Sequence, residues 1–184
     1  MTKHTIRDRE SLLAITRQGG QPKYIYFWGH TPKHGGGVGK HVFSQWYGAP
    51  FSIGGVEYPT AEHWMMAEKA RLFGDAEALA RVLAAGNPGA AKQAGREVRG
   101  FDDARWNEAR WDIVVGGNLA KFTQNPELGE FLRTTGDRVL VEASPADPIW
   151  GIGLAEDDPR AQNPELWRGL NLLGFALMEA RARL

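Results

Sequence analysis

Cysteine is absent from the 184 residues, which excludes structural disulfides, thiolate metal sites and a cysteine nucleophile. Net charge is absent too. The 22 basic and 22 acidic side chains cancel and neither sign forms a run, so the chain carries no electrostatic footprint for duplex nucleic acid or an anionic membrane. Long hydrophobic runs are missing as well: no segment approaches the roughly 20 apolar residues that span a bilayer, and the opening MTKHTIRDRESLL has no apolar secretory core. These absences lead to the expectation of a cytoplasmic protein without a membrane partner.

What is present suffices for one domain that buries its own core. Seven Trp supply large flat surfaces for that core or for stacking on planar rings. Residues 8–18 predict a short helix that GGQP at 19–22 interrupts, giving an N-terminal extension over 1–23 ahead of a domain over 24–184. YIYFW, 24–28, reads as a strand, and PFSIGGVEYP, 50–59, as a hairpin turning at Gly54-Gly55. GHTPKHGGGVGKH, 29–41, with five Gly, reads as a mobile loop. Helical patterns cover 60–73, 75–85, 88–97, 103–121, 126–134 and 164–183, with one short strand at Arg138–Glu142. The predicted fold class is mainly α with a small β element, α+β, in a single compact domain.

The helix in YPTAEHWMMAEKA, 58–70, carries charge where apolar residues belong. With Thr60 as its cap and about 100° per residue, Glu62 and Lys69 fall in the middle of an arc formed by Ala61, Met65, Met66, Ala70, Leu72 and Phe73. A first-turn Glu complements the helix dipole and a Lys stem can snorkel, but burying charge without function costs several kcal/mol. A paired charge on a pocket wall is therefore expected.

Other motifs carry less. HGGGVGKH, 34–41, places His34 and His41 where a phosphate loop requires Gly and Ser or Thr, although Lys40 remains a candidate for a ligand phosphate. His30, His34 and His41 lack a nearby carboxylate, so solvated loop histidines are expected and no metal. EASPADPIWGIG, 142–153, sets Glu142 at a strand end, then Asp147, then Trp150 ahead of a Gly-x-Gly whose Gly151 permits close backbone approach. The bland alternative there is a turn capped by Asp147 with Trp150 packed inward. In the last helix only Asn171 invites a ligand reading, and Trp106 and Trp111 are expected in the core.

Taken in order, FSQW (43–46), PFSIGGVEYPTAEHWMMAEKA (50–70), GNPGAAKQAGREV (86–98), ARWNEARWDIVVGGNLAKFTQNPEL (104–128), TTGDRVLVEASPADPIWGIG (134–153) and WRGLNLLGFALMEAR (167–181) resemble the YbiA-like, or NADAR, family. The resemblance runs over about residues 24–184 and implies a mostly helical single domain with a few short strands. It implies hydrolysis of N-glycosidic bonds, either in phosphoribosylamino-pyrimidine intermediates of riboflavin synthesis or between ADP-ribose and guanine. The partner is then a small ribosylated pyrimidine or an ADP-ribosylated guanine, with nucleic acid entering only as a carrier of substrate and with no cofactor. Catalytic positions implied are Glu62, Lys69 and Asp147. Trp46 and Trp150 are candidates for stacking on the substrate base, Gly151 for close approach to the substrate, Arg96 or Lys40 for a phosphate, and Asn171 for the ligand. A third reading is a non-catalytic module that binds ADP-ribose or a nucleotide. The departures are the longer Gly/His loop at 29–41 and HWMM in place of a tyrosine-rich stretch, both bearing on substrate choice.

Overall fold

The computed structural model describes residues 6–32 and 36–184; His34, among the loop histidines, lies outside them. Helices α1 (Arg9–Arg17), α2 (Ala61–Leu72), α3 (Ala76–Leu83), α4 (Pro88–Arg96), α5 (Asp103–Gln124), α6 (Pro126–Thr134) and α7 (Leu172–Arg183) dominate the described residues. They accompany β1 (Tyr24–Phe27), β2 (Phe51–Ile53), β3 (Val56–Tyr58) and β4 (Val139–Glu142). The architecture is the α+β one expected.

Local chemistry sets most boundaries. Thr60 caps α2 by accepting from the His63 amide at 3.3 Å, Asp75 caps α3, Asn87 precedes Pro88 at the start of α4, and Asp102 caps α5. β2 and β3 pair antiparallel, Phe51 opposite Tyr58, across Gly54 and Gly55 at φ 61° and 79°. Two successive positive φ values are what a two-residue hairpin of this hand demands, and glycine adopts them without strain.

β1 and β4 run parallel, placing Phe27 beside Glu142, and α7 lies on β4 and α5. The contact with β4 is close: a Cβ on Gly174 would come within 2.1 Å of the Leu140 carbonyl oxygen. α2 packs on α3, α4 and α5, with Trp64 donating its indole N–H to the Ile113 carbonyl at 2.7 Å over Gly117. α1 is docked on the body. Leu12 is fully buried in the main core, and Arg9 donates to the Pro164 carbonyl at 3.0 Å.

Two expectations need correction. The helix expected from 164 starts only at Leu172. Arg168 and residues 170–173 instead send their backbone N–H groups to the 148–152 loop, Arg168 to Ile152 at 2.9 Å and Asn171 to Gly151 at 3.0 Å among them, so those donors make no helical hydrogen bonds. Asn171 turns the chain at φ 54°. At the end of the Gly/His loop, Lys40–Phe43 forms a 3-10 turn whose Val42 and Phe43 are buried. There the His41 ring packs on Tyr47 at 5.2 Å with Nε2 buried, so His41 is not a solvated histidine.

Candidate active site

Four segments far apart in sequence converge on a cleft of about 430 Å³. The first turn of α2 contributes Glu62, and its later turns Met65, Met66 and Lys69. α4 contributes Lys92 and Arg96, one turn apart and hence on one face. The end of β4 and the loop after it contribute Glu142, Asp147 and Trp150, and the stretch after the 3-10 turn contributes Gln45 and Trp46. Trp106 of α5 also lines it.

Glu62 is 3% exposed and its Oε1 is buried without a partner. Desolvation pushes its pKa up to about 7, with Asp147 adding to the rise while Lys92, the Trp46 indole and Arg96 oppose it. Glu142 has a sequestered, unpartnered Oε2 and is pushed up to about 8, again by desolvation first, then by the charges of Asp147 and Glu62. Two carboxyl groups held near neutrality beside a third carboxylate define the acidic end of the cleft. Their backbones are held firmly, since the Glu142 N–H donates to Asn171 Oδ1 at 2.9 Å and the Glu62 N–H donates to the Gln45 carbonyl at 3.0 Å.

Lys69 does not form the expected pair with Glu62. Among the described residues no ion pair joins them. Nζ sits 4.3 Å from the Phe101 ring centroid and 5.8 Å from that of Trp106. Burial lowers its pKa, Asp103 opposes that shift and Arg96 reinforces it. Lys92 and Arg96 are the other cations of the cleft: Lys92 Nζ lies 5.8 Å from the Trp46 ring centroid, and both are near enough to Glu62 to oppose the rise in its pKa. Asp147 spends Oδ1 on the turn, accepting from the Ile149 and Trp150 amides at 2.9 and 2.8 Å. It is therefore both turn cap and cleft wall, and Trp150 both packs against the core and lines the cleft.

Of the residues singled out in the sequence, Glu62, Lys69, Asp147, Trp46, Trp150 and Arg96 meet in the cleft. Lys40 does not: it pairs with Glu156 at 3.2 Å beside a separate depression under Trp28. Asn171 is fully buried and spends its amide on β4, accepting from Glu142 and donating to the Leu140 carbonyl at 2.9 Å. Gly151 serves close approach, since a Cβ there would come 2.8 Å from the Glu142 carbonyl oxygen. The sequence reading left Gln45, Lys92, Trp106 and Glu142 off the site. Lys92 was findable as the residue one helical turn before Arg96, and Glu142 as an acid closing an apolar strand; Gln45 and Trp106 gave no such signal. No group of three or more His, Asp or Glu among the described residues is arranged to hold a metal ion, and none of their helices is long and apolar enough to cross a membrane.

A cleft that sets buried carboxyl groups beside cations has the chemistry needed to split glycosidic bonds. The NADAR domain pattern matches residues 26–184, and the chain belongs to that family. It is 42% identical over 164 residues, covering 86% of this chain and 95% of the relative, to an N-glycosidase of Acanthamoeba polyphaga mimivirus. It is 30% identical to a riboflavin biosynthesis protein of Vibrio vulnificus over 84% of this chain but 39% of that one. The fold matches the solution structure of Escherichia coli YbiA with a TM-score of 0.70 at 26% identity, covering 89% of this chain and 85% of YbiA. The chain is thus an enzyme of the N-glycosidase kind, a hydrolase acting on N-glycosidic bonds.

Proposed function

We propose that the chain hydrolyses the ribosyl C–N bond of phosphoribosylamino-pyrimidine intermediates of riboflavin biosynthesis, acting on the free small molecule in the cytoplasm. The observation that carries this reading is the acidic end of the cleft, where Glu62 and Glu142 hold buried, unpartnered oxygens beside Asp147. Breaking the bond builds positive charge at the anomeric carbon and negative charge on the departing base. Glu142, protonated near pH 7, supplies the proton to the base. Glu62 in its ionised form stabilises the sugar cation, and Asp147, with one oxygen free of the turn, orients the attacking water. Trp46 and Trp150 flank the base, while Lys92 and Arg96 meet the phosphate.

Lys69 supports a covalent variant of the same reaction, because its lowered pKa enriches the neutral amine that a nucleophile requires. In that route the Nζ–C1′ bond forms, the base leaves with the proton from Glu142, the sugar ring opens to a Schiff base, and water releases the sugar and regenerates the amine. A second substrate, ADP-ribose joined to guanine, is favoured by the three cations Lys69, Lys92 and Arg96, a complement that matches a diphosphate. Incubating the protein with each substrate and following ribose 5-phosphate or ADP-ribose release decides between them. Release from neither, with tight binding of intact ligand, overturns the enzyme reading for both. Borohydride added during turnover should leave a mass adduct that Lys69→Ala removes; without that adduct the water route stands alone.

A further inference from the structure

One buried donor in the cleft has no use in the fold. Gln45 is 7% exposed and lines the cleft, and its Nε2 is sequestered without a partner. A neighbour behind the cleft wall sets which way its amide faces. The Val114 carbonyl oxygen can only accept, so the Asn118 atom 2.9 Å from it is the NH₂ nitrogen Nδ2. The same Nδ2 lies 3.0 Å from the Gln45 side chain, and a donor faces an acceptor, so Oε1 of Gln45 is turned toward Asn118 and its NH₂ away from it. The backbone is clamped at the same place. Lys121 Nζ donates to the Val42 and Ser44 carbonyls at 2.7 and 3.0 Å, and the Gln45 carbonyl accepts from Glu62. A buried donor left unmade is a cost, and one on a cleft-lining side chain is explained when its acceptor arrives with the ligand.

The layout of the cleft identifies that acceptor. Lys69 lies further along α2 between the Phe101 and Trp106 rings, whereas Gln45 is tied to the first turn of α2, where Glu62 sits, next to Trp46. With the base stacked on Trp46, as proposed above, the edge of the base is what is brought to the neighbouring Gln45. We infer that Gln45 is a specificity-determining residue that donates Nε2–H to a ring carbonyl oxygen of the departing base, and that Asn118 is the positioning residue that fixes its direction. Oxo-bases of the pyrimidinone and guanine kind are then preferred to their amino counterparts. The inference rests on the N-glycosidase reading only in taking the ligand to be an N-ribosyl phosphate with its base on Trp46.

Its test is equilibrium binding, by calorimetry, of guanosine 5′-monophosphate and of 2,6-diaminopurine riboside 5′-monophosphate, in which an amino group replaces the carbonyl. The wild type should bind the first at least about tenfold more tightly, the worth of one well-placed hydrogen bond. Gln45→Met, similar in length but without the donor, should bring that ratio close to one. Asn118→Leu frees the amide to turn over, so affinity for the diaminopurine nucleotide should rise, a gain that a merely damaged site would not show. Equal wild-type affinities, no binding of either nucleotide at millimolar concentration, or a ratio unchanged in Gln45→Met would each overturn the inference. Hydrolysis measured in parallel separates the two readings. An unchanged ratio with retained turnover rejects the Gln45 role alone, while a ratio lost with Gln45→Met in a protein that cleaves nothing rejects the glycosidase alone.

Discussion

Glu62 carries a conflict between folding and chemistry. Its first-turn position on α2 complements the helix dipole, yet its carboxyl is buried among Met65, Met66 and Trp46 with one oxygen unpartnered. The pKa rises from an ordinary value of 4.5 to about 7, so the folded state binds the proton more tightly than the unfolded chain. The stability cost is absent below about pH 4.5, grows as pH rises and is complete above about pH 7. Gln cannot ionise and keeps the shape. Glu62→Gln is therefore expected to abolish turnover while matching or exceeding wild-type stability at pH 8, by up to about 3 kcal/mol. Urea unfolding at pH 5 and pH 8 checks the stability and substrate hydrolysis checks the activity; full activity in the variant would remove Glu62 from the mechanism. Its neighbour His63 is the contrasting case, a buried imidazole satisfied on both sides by Thr60 at 2.8 Å and the Ala85 carbonyl at 3.0 Å. Since the carbonyl takes the Nε2 proton, Nδ1 accepts from the Thr60 hydroxyl, and the residue secures the cap of α2 rather than the cleft.

At the scale of elements, α5 is the rear support of the site. Lys121 is fully buried with no carboxylate in ion-pair range among the described residues, and it holds the chain carbonyls that precede Gln45. Desolvation lowers its pKa from 10.5 to about 7. The sign is opposite to that of Glu62: between about pH 7 and 10.5 the unfolded chain binds the extra proton, so this group's contribution to stability grows with pH. The neutral amine still donates to both carbonyls, and Lys121→Met removes those bonds. Denaturation curves should show Lys121→Met to be more destabilised at pH 9 than at pH 6, by about 2 to 3 kcal/mol. A destabilisation that shrinks as pH rises would mean a charged, paired lysine instead. The same variant should raise KM, because the stretch carrying Gln45 and Trp46 loses its anchor.

For the whole molecule, what the sequence disclosed was the part written in local chemistry. Thr60, Asp75 and Asn87 mark helix starts, and Gly54-Gly55 marks the hairpin, because caps and turns are satisfied within a few residues. The parallel pairing of β1 with β4, over 100 positions apart, left no local trace. The late start of α7 was hidden because the amides of Arg168 and residues 170–173 are spent on a loop some twenty residues earlier. For the same reason Glu62 was legible as a misplaced charge, while Gln45 and Lys92 became site residues only once α2, α4 and β4 met. Tertiary convergence also sets the working pH. Glu62, at about 7, helps to push Glu142 up to about 8, so the two titrate as a coupled pair. The proposed reaction needs one carboxyl ionised and the other protonated. kcat/KM should therefore be bell-shaped, highest between pH 7 and 8 and falling about tenfold per unit well outside that window. Asp147 raises both groups, so Asp147→Asn should move the whole bell toward acid besides lowering its height. A profile measured from pH 5.5 to 9.5 that stays in place in Asp147→Asn would show that these carboxyls do not set the rate, and a flat wild-type profile would dismiss acid–base catalysis by the pair.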